Sequence, residues 1–338
     1  TRMSNKVVVL GPTKGDIKSK IDAKTIKELN SYAKNYKELE LFYVNTSQPI
    51  EKVIEQCKNA LVIFPTTTFP EITYIAEKIP SLKLIQTFSA GTDMLDKKLL
   101  GELGVSVSNN GGANSVAVAE HTIALIVNTF RKMNLQFESV KSGNWRGNIQ
   151  KEWYSQAEEI SGKTVGIIGF GRIGQSVAKR LIGWECNVIF HDIVSHPKEL
   201  ITSLNSTKVS LEQLISESDI ISLHVPLNNT TTKMISYAEF SLMKSSAILI
   251  NACRGPVVDE EALIHAIKNK QISGAALDVT ENEPIDSNNH LLELDNVLIT
   301  PHLAAMSAQF LAKARSFAVY NCVNVALGKN PESTVIPD

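Results

Sequence analysis

Three side chains that could do chemistry together each follow an apolar segment in the carboxyl half of the sequence. Arg254 follows "AILINAC", Glu283 lies in "LDVTENEP" after "SGAAL", and His302 follows "NVLITP". A guanidinium offers a planar fork of donors to a carboxylate, and an imidazole exchanges protons near neutral pH. A glutamate beside that imidazole would favour its charged form and fix the ring's orientation. The three residues predict a site that binds an anion and transfers a proton.

Each of these residues has a structural alternative when it is taken alone. Arg254 could lie on a surface turn or close an ion pair that staples its loop. His302 could cap a helix, and Glu283, which precedes Pro284, could belong to a plain turn. Glu281 is a second acid close to Glu283 in the sequence. The joint occurrence of all three at predicted strand ends favours catalysis, because open α/β sheets place their sites there.

A glycine-rich segment, "GKTVGIIGFGRIG", stands between a predicted strand and a predicted helix. Gly169, Gly171 and Gly174 have the G-x-G-x-x-G spacing of a dinucleotide-binding turn. The first glycine permits the tight turn, the second lets the backbone approach a pyrophosphate, and the third lets helix and strand pack closely. The alternative is a purely structural turn, which the context on both sides disfavours.

Asp192 ends the next predicted strand, "NVIFHD", 18 residues after Gly174. A carboxylate near this spacing accepts hydrogen bonds from ribose hydroxyls and repels a 2′-phosphate, which favours NAD over NADP. No Arg follows Asp192 directly, although His196 and Lys198 could still receive a phosphate. The alternative is a solvated acid at the end of a strand.

Short apolar runs alternate with amphipathic helical patterns in both halves of the 338-residue chain. This alternation predicts an α/β protein with two doubly wound, Rossmann-like or flavodoxin-like domains, one inserted in the other, and a cleft between them. The segment "SVAVAEHTIALIVNTFRKM" is apolar around most of its circumference, and we interpret it as one long helix that connects the domains. The last helix, "AAMSAQFLAKARSFAVYNCVNVALGK", is predicted to pack back onto the first half.

The composition argues against several classes of protein. The net charge is −1, with 34 Lys and Arg against 35 Asp and Glu, and no long basic stripe is present, so neither nucleic acid nor an anionic membrane is the expected partner. No apolar run has the length of a membrane span, and no signal peptide is recognisable, so we expect a cytoplasmic protein. Four scattered cysteines without CxxC spacing predict neither a metal site nor a disulfide scaffold.

The blocks "GFGRIG", "NACRGPVVDEEAL", "GAALDVTENEP" and "TPHLAAMS" resemble the signature segments of the D-isomer-specific 2-hydroxyacid dehydrogenases. "FSAGTDMLD" and "NGGANSVAVAEHT" extend that resemblance over nearly the whole chain. The resemblance implies an NAD-binding Rossmann domain at 114–303 inserted in a substrate-binding domain at 1–113 and 304–338, and usually a homodimer. It also implies that Arg254 binds the substrate, that His302 is the proton donor and that Glu283 is its acidic partner.

The resemblance implies further contacts with the ligands. Ser89, Ala90 and Gly91 could expose successive N–H groups as a nest for the substrate carboxylate, or could form only a strand-to-helix turn. The implied NAD contacts are Gly169, Gly171, Arg172, Ile173, Gly174, Asp192, His224, Pro226, Thr231, Ala252, Cys253 and Asp278. His224 and Pro226 would lie near the adenine, and Asp278 would bind the carboxamide.

Several residues in these blocks also have a packing interpretation. Cys253 could simply be a small buried hydrophobic residue. Glu120 and His121, in the "VAEH" segment, are interpreted first as packing and hinge residues. Trp145 could pack in a dimer or cover the substrate, and packing is the preferred interpretation.

The expected reaction is the NAD-dependent interconversion of a small 2-oxo acid, such as glyoxylate, hydroxypyruvate or pyruvate, and its D-2-hydroxy acid. The "LAAM" segment after His302 lacks the glycine that many family members have there, which predicts a different wall behind the imidazole. We expect Met306, Phe310 and the "FPTTTFP" segment to set the pocket size. The alternatives are a phosphite or phosphoglycerate dehydrogenase on the same scaffold, the latter disfavoured because no regulatory domain follows Asp338, and an NAD-sensing binding protein of the corepressor type.

Overall fold

The computed structural model describes residues 5–12, 17–67, 69–145 and 156–335. Thr68 of the "FPTTTFP" segment therefore lies outside the described residues. The chain divides into two compact units at Asn114/Ser115 and Met306/Ser307. Unit 1 takes its residues from 1–114 and 307–338, and unit 2 takes its residues from 115–306. In chain order, unit 2 is therefore an insertion within unit 1.

Unit 1 is built on a five-stranded parallel sheet with the strand order β2-β1-β3-β4-β5. Its elements are β1 (Asn5–Gly11), α1 (Ile17–Ala33), β2 (Leu39–Asn45), α2 (Ile50–Cys57), β3 (Ala60–Pro65), α3 (Ile72–Glu77), β4 (Leu84–Gln86), α4 (Lys97–Glu102) and β5 (Ser106–Ser108). The carboxyl-terminal helix, α12 (Ala308–Ala326), also belongs to this unit. Its Val319 and Cys322 are buried in one core cluster with Val9 and Phe64, so the last helix packs on the sheet of the first half.

Unit 2 contains a seven-stranded sheet with the order β12-β11-β10-β9-β6-β7-β8, and every pairing is parallel. Its elements are α5 (Ser115–Arg131), α6 (Met133–Lys141), β6 (Thr164–Ile168), α7 (Arg172–Leu181), β7 (Asn187–His191), α8 (Lys198–Ser203), β8 (Ser206–Lys208), α9 (Leu211–Glu217), β9 (Ile220–Leu223), α10 (Tyr237–Leu242), β10 (Ile248–Asn251), α11 (Glu260–Lys268), β11 (Gly274–Leu277) and β12 (Val297–Ile299). Short 3₁₀ helices at Gly255–Val257 and His290–Glu293 complete it.

The central strands of unit 2 have no solvent-exposed face. Every residue of β9, β10 and β11 is buried, which is the pattern expected where helices cover both faces of a parallel sheet. Helix α7 buries Gly174, Val177, Ala178 and Leu181, spaced three or four residues apart, and these form one face against the sheet.

The strand orders identify where each sheet reverses direction. In unit 2 the chain moves from β6 to β7 on one side and returns to β9 on the other, and in unit 1 the reversal lies between β1 and β3. Doubly wound sheets bind ligands beyond the carboxyl ends of the strands at such a reversal. The predicted α/β class, with two doubly wound parallel sheets, is confirmed.

The segment predicted as one long helix, residues 115–133, forms α5 over Ser115–Arg131, and a second helix follows it directly. Helix α5 ends at Arg131 and α6 begins at Met133, with Lys132 between them in the left-handed conformation at φ 54°. A residue in that conformation interrupts the helical hydrogen-bond ladder. Helix α5 is also part of unit 2, where Leu125 and Ile126 are buried in its core.

Within the described part of the chain, no helix is both long and apolar enough to cross a membrane.

Candidate active site

The glycine turn between β6 and α7 has the backbone that its spacing predicts. Gly169 has φ +91°, and a Cβ there would lie 2.4 Å from the carbonyl oxygen of His224. A Cβ on Gly174 would lie 2.2 Å from the carbonyl oxygen of Gly169. Both positions therefore require glycine for the close approach of strand, turn and helix. At Gly171 no heavy atom of the described residues, the adjoining backbone aside, lies within 4 Å of the Cβ position, so this side of the turn is open to a ligand.

Asp192 lies at the carboxyl end of β7, next to the glycine turn. Its Oδ2 accepts the backbone N–H of Phe170 at 2.6 Å, and its Oδ1 accepts that of Val194 at 2.8 Å. The Nε2 of His196 lies 3.3 Å from the same Oδ2. Burial raises the pKa of Asp192, but the hydrogen bonds from Val194, Phe170 and His196 outweigh it and hold this pKa below its ordinary value. The residue is therefore a fixed anion at neutral pH.

These residues fit a dinucleotide. Arg172 and Ile173 start α7, so the N-terminal end of this helix lies beside the open Gly171, where a helix can receive a pyrophosphate. Asp192 stands at the adjacent strand end, where an acid can accept ribose hydroxyls. The structure thus brings together all six residues predicted for the glycine motif and the ribose acid.

The segment after β9 forms the other side of the sheet reversal. The Nε2 of His224 lies 2.8 Å from the hydroxyl of Ser222, while its Nδ1 is buried and has no hydrogen-bond partner among the described residues. Burial lowers the pKa of His224 to about 4, so the ring is neutral at pH 7. The hydroxyl of Thr231 donates to the carbonyl of Pro226 at 2.7 Å and so closes the loop.

Arg254 begins the loop that follows β10. Its backbone is extended and leads into the 3₁₀ helix, and its Nη1 donates to the carbonyl of Cys253 at 2.6 Å. The side-chain amide of Asn251 donates to the carbonyl of Arg254 at 2.9 Å, while its Oδ1 accepts the backbone N–H of Cys253 at 3.1 Å. Ala252 and Cys253 are both buried, and burial raises the pKa of the Cys253 thiol to about 11. Cys253 is therefore an uncharged thiol at neutral pH.

Glu283 and His302 are in direct contact. The Oε2 of Glu283 lies 2.6 Å from the Nδ1 of His302, and the Oε1 accepts the backbone N–H of Thr280 at 3.3 Å. Both side chains remain accessible, with exposed fractions of 47% for His302 and 38% for Glu283. The carboxylate can orient the ring through Nδ1, which leaves Nε2 as the nitrogen that can exchange a proton with a substrate.

The loops that carry Arg254 and Glu283 are packed against each other. A Cβ on Gly255 would lie 1.9 Å from the carbonyl oxygen of Thr280, so only glycine permits this approach. The acid beside the pair, Glu281, accepts the backbone N–H of Glu260 at 3.1 Å and donates its own N–H to the Glu260 carboxylate at 3.0 Å. Glu281 therefore joins the loop to the start of α11 and has a structural role.

The loop that carries His302 is organised around Asp278, which is 1% exposed at the end of β11. The Asp278 carboxylate accepts the hydroxyl of Thr300 at 2.5 Å and the backbone N–H groups of Leu303 at 3.0 Å and Ala304 at 2.8 Å. The carbonyl of Asp278 accepts the N–H of His302 at 2.8 Å. His302 itself has φ +52°, a left-handed conformation that costs energy in a residue other than glycine and is often found at functional sites.

Ser89, Ala90 and Gly91 lie in unit 1, after β4. The hydroxyl of Ser89 donates to the carbonyl of Gly91 at 2.6 Å, and the carbonyl of Ser89 accepts the hydroxyl of Thr87 at 3.0 Å. These bonds fix the shape of the loop, and its use as a carboxylate-binding nest stays a prediction.

Two contributors to the site are absent from the sequence-based set. Thr300 looks like the last residue of a strand before Pro301, and the sequence favours packing and a hinge for His121. Their partner Asp278 lies 22 residues from Thr300 and still farther from His121, and no local spacing marks such contacts.

Comparison with known proteins defines the family. Residues 123–304 match the model of the D-isomer specific 2-hydroxyacid dehydrogenase, NAD binding domain. A glyoxylate reductase of Thermofilum pendens is 36% identical over 264 residues, which cover 77% of this chain and 77% of the relative.

Solved structures show the same architecture. The crystal structure of a glyoxylate reductase from Paecilomyes thermophila matches with a TM-score of 0.84 and 25% identity, covering 98% of each chain. A D-lactate dehydrogenase from Lactobacillus jensenii, solved with NAD+, matches with a TM-score of 0.76 and 25% identity, covering 98% of this chain and 99% of the other. This chain thus belongs to the D-isomer specific 2-hydroxyacid dehydrogenase family, whose members are NAD-dependent oxidoreductases.

Proposed function

We propose that this protein reduces a small 2-oxo acid, with glyoxylate as the first candidate and hydroxypyruvate or pyruvate as related substrates, to the D-2-hydroxy acid. The contact of 2.6 Å between His302 and Glu283, on a loop packed against that of Arg254, carries the proposal. The glyoxylate reductase of Thermofilum pendens supports glyoxylate as the first substrate to test.

Arg254 binds the substrate in this proposal. A 2-oxo acid presents a carboxylate and a ketone oxygen side by side, and a guanidinium can donate to both while keeping its charge. The extended backbone at Arg254 and the bonds from Asn251 hold the base of this side chain.

His302 acts as the proton donor in the direction of reduction. NADH, when bound, supplies the hydride to the ketone carbon. The oxygen of that ketone then needs a proton, which His302 donates from Nε2 while Nδ1 faces Glu283. Glu283 stabilises the charged ring before the transfer and keeps it oriented, since its second oxygen is bound to the Thr280 N–H.

The test is NADH consumption with glyoxylate, hydroxypyruvate, pyruvate, phenylpyruvate and 2-oxoisocaproate, with NADPH in parallel. We expect the fastest turnover with one of the three smallest acids and NADH, and loss of turnover in His302→Ala with NADH binding retained. Turnover of phosphite or 3-phosphoglycerate, with no turnover of any 2-oxo acid, would show that the proposed substrate class is wrong. NADH binding without turnover of any of these compounds would favour a nucleotide-sensing protein.

The proposal includes a homodimer. Helix α6 and the turn after it carry three strongly exposed apolar side chains, with exposed fractions of 59% for Phe137, 53% for Val140 and 80% for Trp145. Exposed apolar surface of this kind is typical of a subunit contact. Light scattering on the wild type and on Phe137→Ser would test it, with a dimer expected only for the wild type. A monomeric wild type would contradict it.

A further inference from the structure

The mechanism proposed above does not use His121, which lies in the second turn of α5. Its Nε2 is 3.1 Å from the hydroxyl oxygen of Thr300 and 3.5 Å from the Oδ1 of Asp278. The side chain is 26% exposed, against 1% for Asp278. One turn earlier on the same helix, Val118 is buried against Ala304, so α5 also packs on the loop of His302.

His121, Thr300 and Asp278 form one hydrogen-bonded cluster, and its donors and acceptors can be paired in one way. The Thr300 hydroxyl has a single hydrogen, and it donates that hydrogen to Oδ1 of Asp278 at 2.5 Å. The Thr300 oxygen can then only accept from His121, so Nε2 of His121 carries a proton. The result is a chain of hydrogen bonds from His121 through Thr300 to Asp278, whose bonds strengthen one another in a desolvated site.

Asp278 also holds the backbone at His302 and at the two residues that follow it. Asp278 accepts the N–H groups of Leu303 and Ala304 through its side chain, and the N–H of His302 through its carbonyl. His302 needs such constraints because it is held at φ +52°. A change in the orientation of the Asp278 carboxylate would therefore move the imidazole relative to Glu283.

We propose that His121 is a positioning residue for His302, whose Nε2–H fixes the Asp278 carboxylate through the Thr300 hydroxyl and so fixes the loop that holds the imidazole against Glu283. This inference rests on the proposed role of His302. It assigns to His121 a requirement for an N–H donor, which packing or a hinge would not impose.

Two variants of His121 distinguish the effect of its N–H donor from the effect of its packing. His121→Gln keeps an N–H donor near the position of Nε2, and His121→Leu keeps comparable bulk without a donor. We expect kcat of His121→Leu to fall ~10-fold or more, because a displacement of about 1 Å in a catalytic group can cost ~100-fold. We expect His121→Gln to stay within ~3-fold of the wild type, and the Kd for NADH to change little in either variant.

The control on the same helix is Glu120→Gln, which breaks the exposed ion pair of Glu120 with Arg180 at 3.1 Å and leaves the cluster intact. We expect its kcat to equal that of the wild type. Equal kcat for folded His121→Leu and His121→Gln, or a change confined to melting temperature in both, would overturn the proposal.

A double-mutant cycle tests the route through Thr300. Thr300→Val removes the hydroxyl at nearly constant volume, so we expect it to lower kcat about as much as His121→Leu, and the double variant to lose little more. Should His121→Leu not yield folded protein, Thr300→Val and His121→Gln provide the same comparison. Additive losses in the cycle would overturn the route.

His302→Ala, measured in parallel, separates this inference from the function on which it rests. If His302→Ala retains turnover, the proposed function fails whatever the His121 variants do. If His302→Ala is inactive while His121→Leu matches the wild type, only the role of His121 fails.

Discussion

The Nδ1 of His302 and the Oε2 of Glu283 lie 2.6 Å apart, although the residues stand on loops that follow different strands. The second oxygen of Glu283 is bound to the backbone N–H of Thr280, so the carboxylate has little freedom to rotate. His302 is held in a left-handed backbone conformation by the N–H groups bound to Asp278. Both partners are therefore positioned before any substrate binds, which is the condition for efficient proton transfer.

Glu283→Gln should lower kcat for the reduction ~10- to 100-fold, because the amide keeps the shape of the side chain but cannot stabilise a charged imidazole. Steady-state kinetics with the best 2-oxo acid would measure it. Glu281→Gln is the matched control, since the Glu281 side chain accepts the backbone N–H of Glu260 and an amide oxygen can accept it as well. Similar losses in both variants would indicate that the loop, rather than the carboxylate at Glu283, is responsible.

Arg254→Lys should lower kcat/KM by ~100-fold, because an ammonium group cannot reproduce the planar fork that binds a carboxylate and a ketone together. Arg180→Lys is the control, since Arg180 forms an ion pair with the exposed Glu120 on the helix surface. A kcat/KM near that of the wild type in Arg254→Lys would indicate that the substrate does not bind to Arg254.

Asp192→Asn should shift the cofactor preference toward NADPH by ~10-fold in the ratio of kcat/KM values, because the charge that repels a 2′-phosphate is removed. Asparagine keeps the shape of the side chain and one acceptor oxygen, which can retain one of the two bonds that Asp192 accepts from Phe170 and Val194 on separate oxygens. Glu199→Gln makes the same change of net charge at an exposed position in α8. An unchanged ratio of kcat/KM values in Asp192→Asn would indicate that Asp192 does not bind the ribose.

His224 should make the protein less stable in acid. Its pKa is lowered by burial to about 4 in the folded state, from an ordinary value of 6.5, so the unfolded chain binds an additional proton between these values. The free energy of unfolding should therefore fall as the pH drops from 6.5 to 4, by an amount on the order of 2 kcal/mol from this group. Urea unfolding at pH 7 and pH 4 would show a smaller difference for His224→Asn than for the wild type. An identical pH dependence in both proteins would refute the role of His224.

The fold class follows from local patterns in this sequence. Apolar runs such as "AILIN" and amphipathic helices alternate, and the spacing of Gly169, Gly171 and Gly174 reflects backbone requirements that act within a few residues. The helix predicted over 115–133 likewise ends within two residues of the observed end of α5 at Arg131.

The residue types that can do chemistry, and their places at strand ends, were also determined by the sequence alone. Arg254, Glu283 and His302 each follow a strand, and parallel strands present their carboxyl ends at one edge of a sheet. Only the tertiary structure decided which contacts hold these side chains in position. The contact of His121 with Thr300 joins residues 179 positions apart, and the burial of Asp278 beneath the His302 loop depends on how helices and strands pack. Such contacts leave no periodic signal, because they result from the packing of distant elements rather than from the conformational preferences of neighbouring residues.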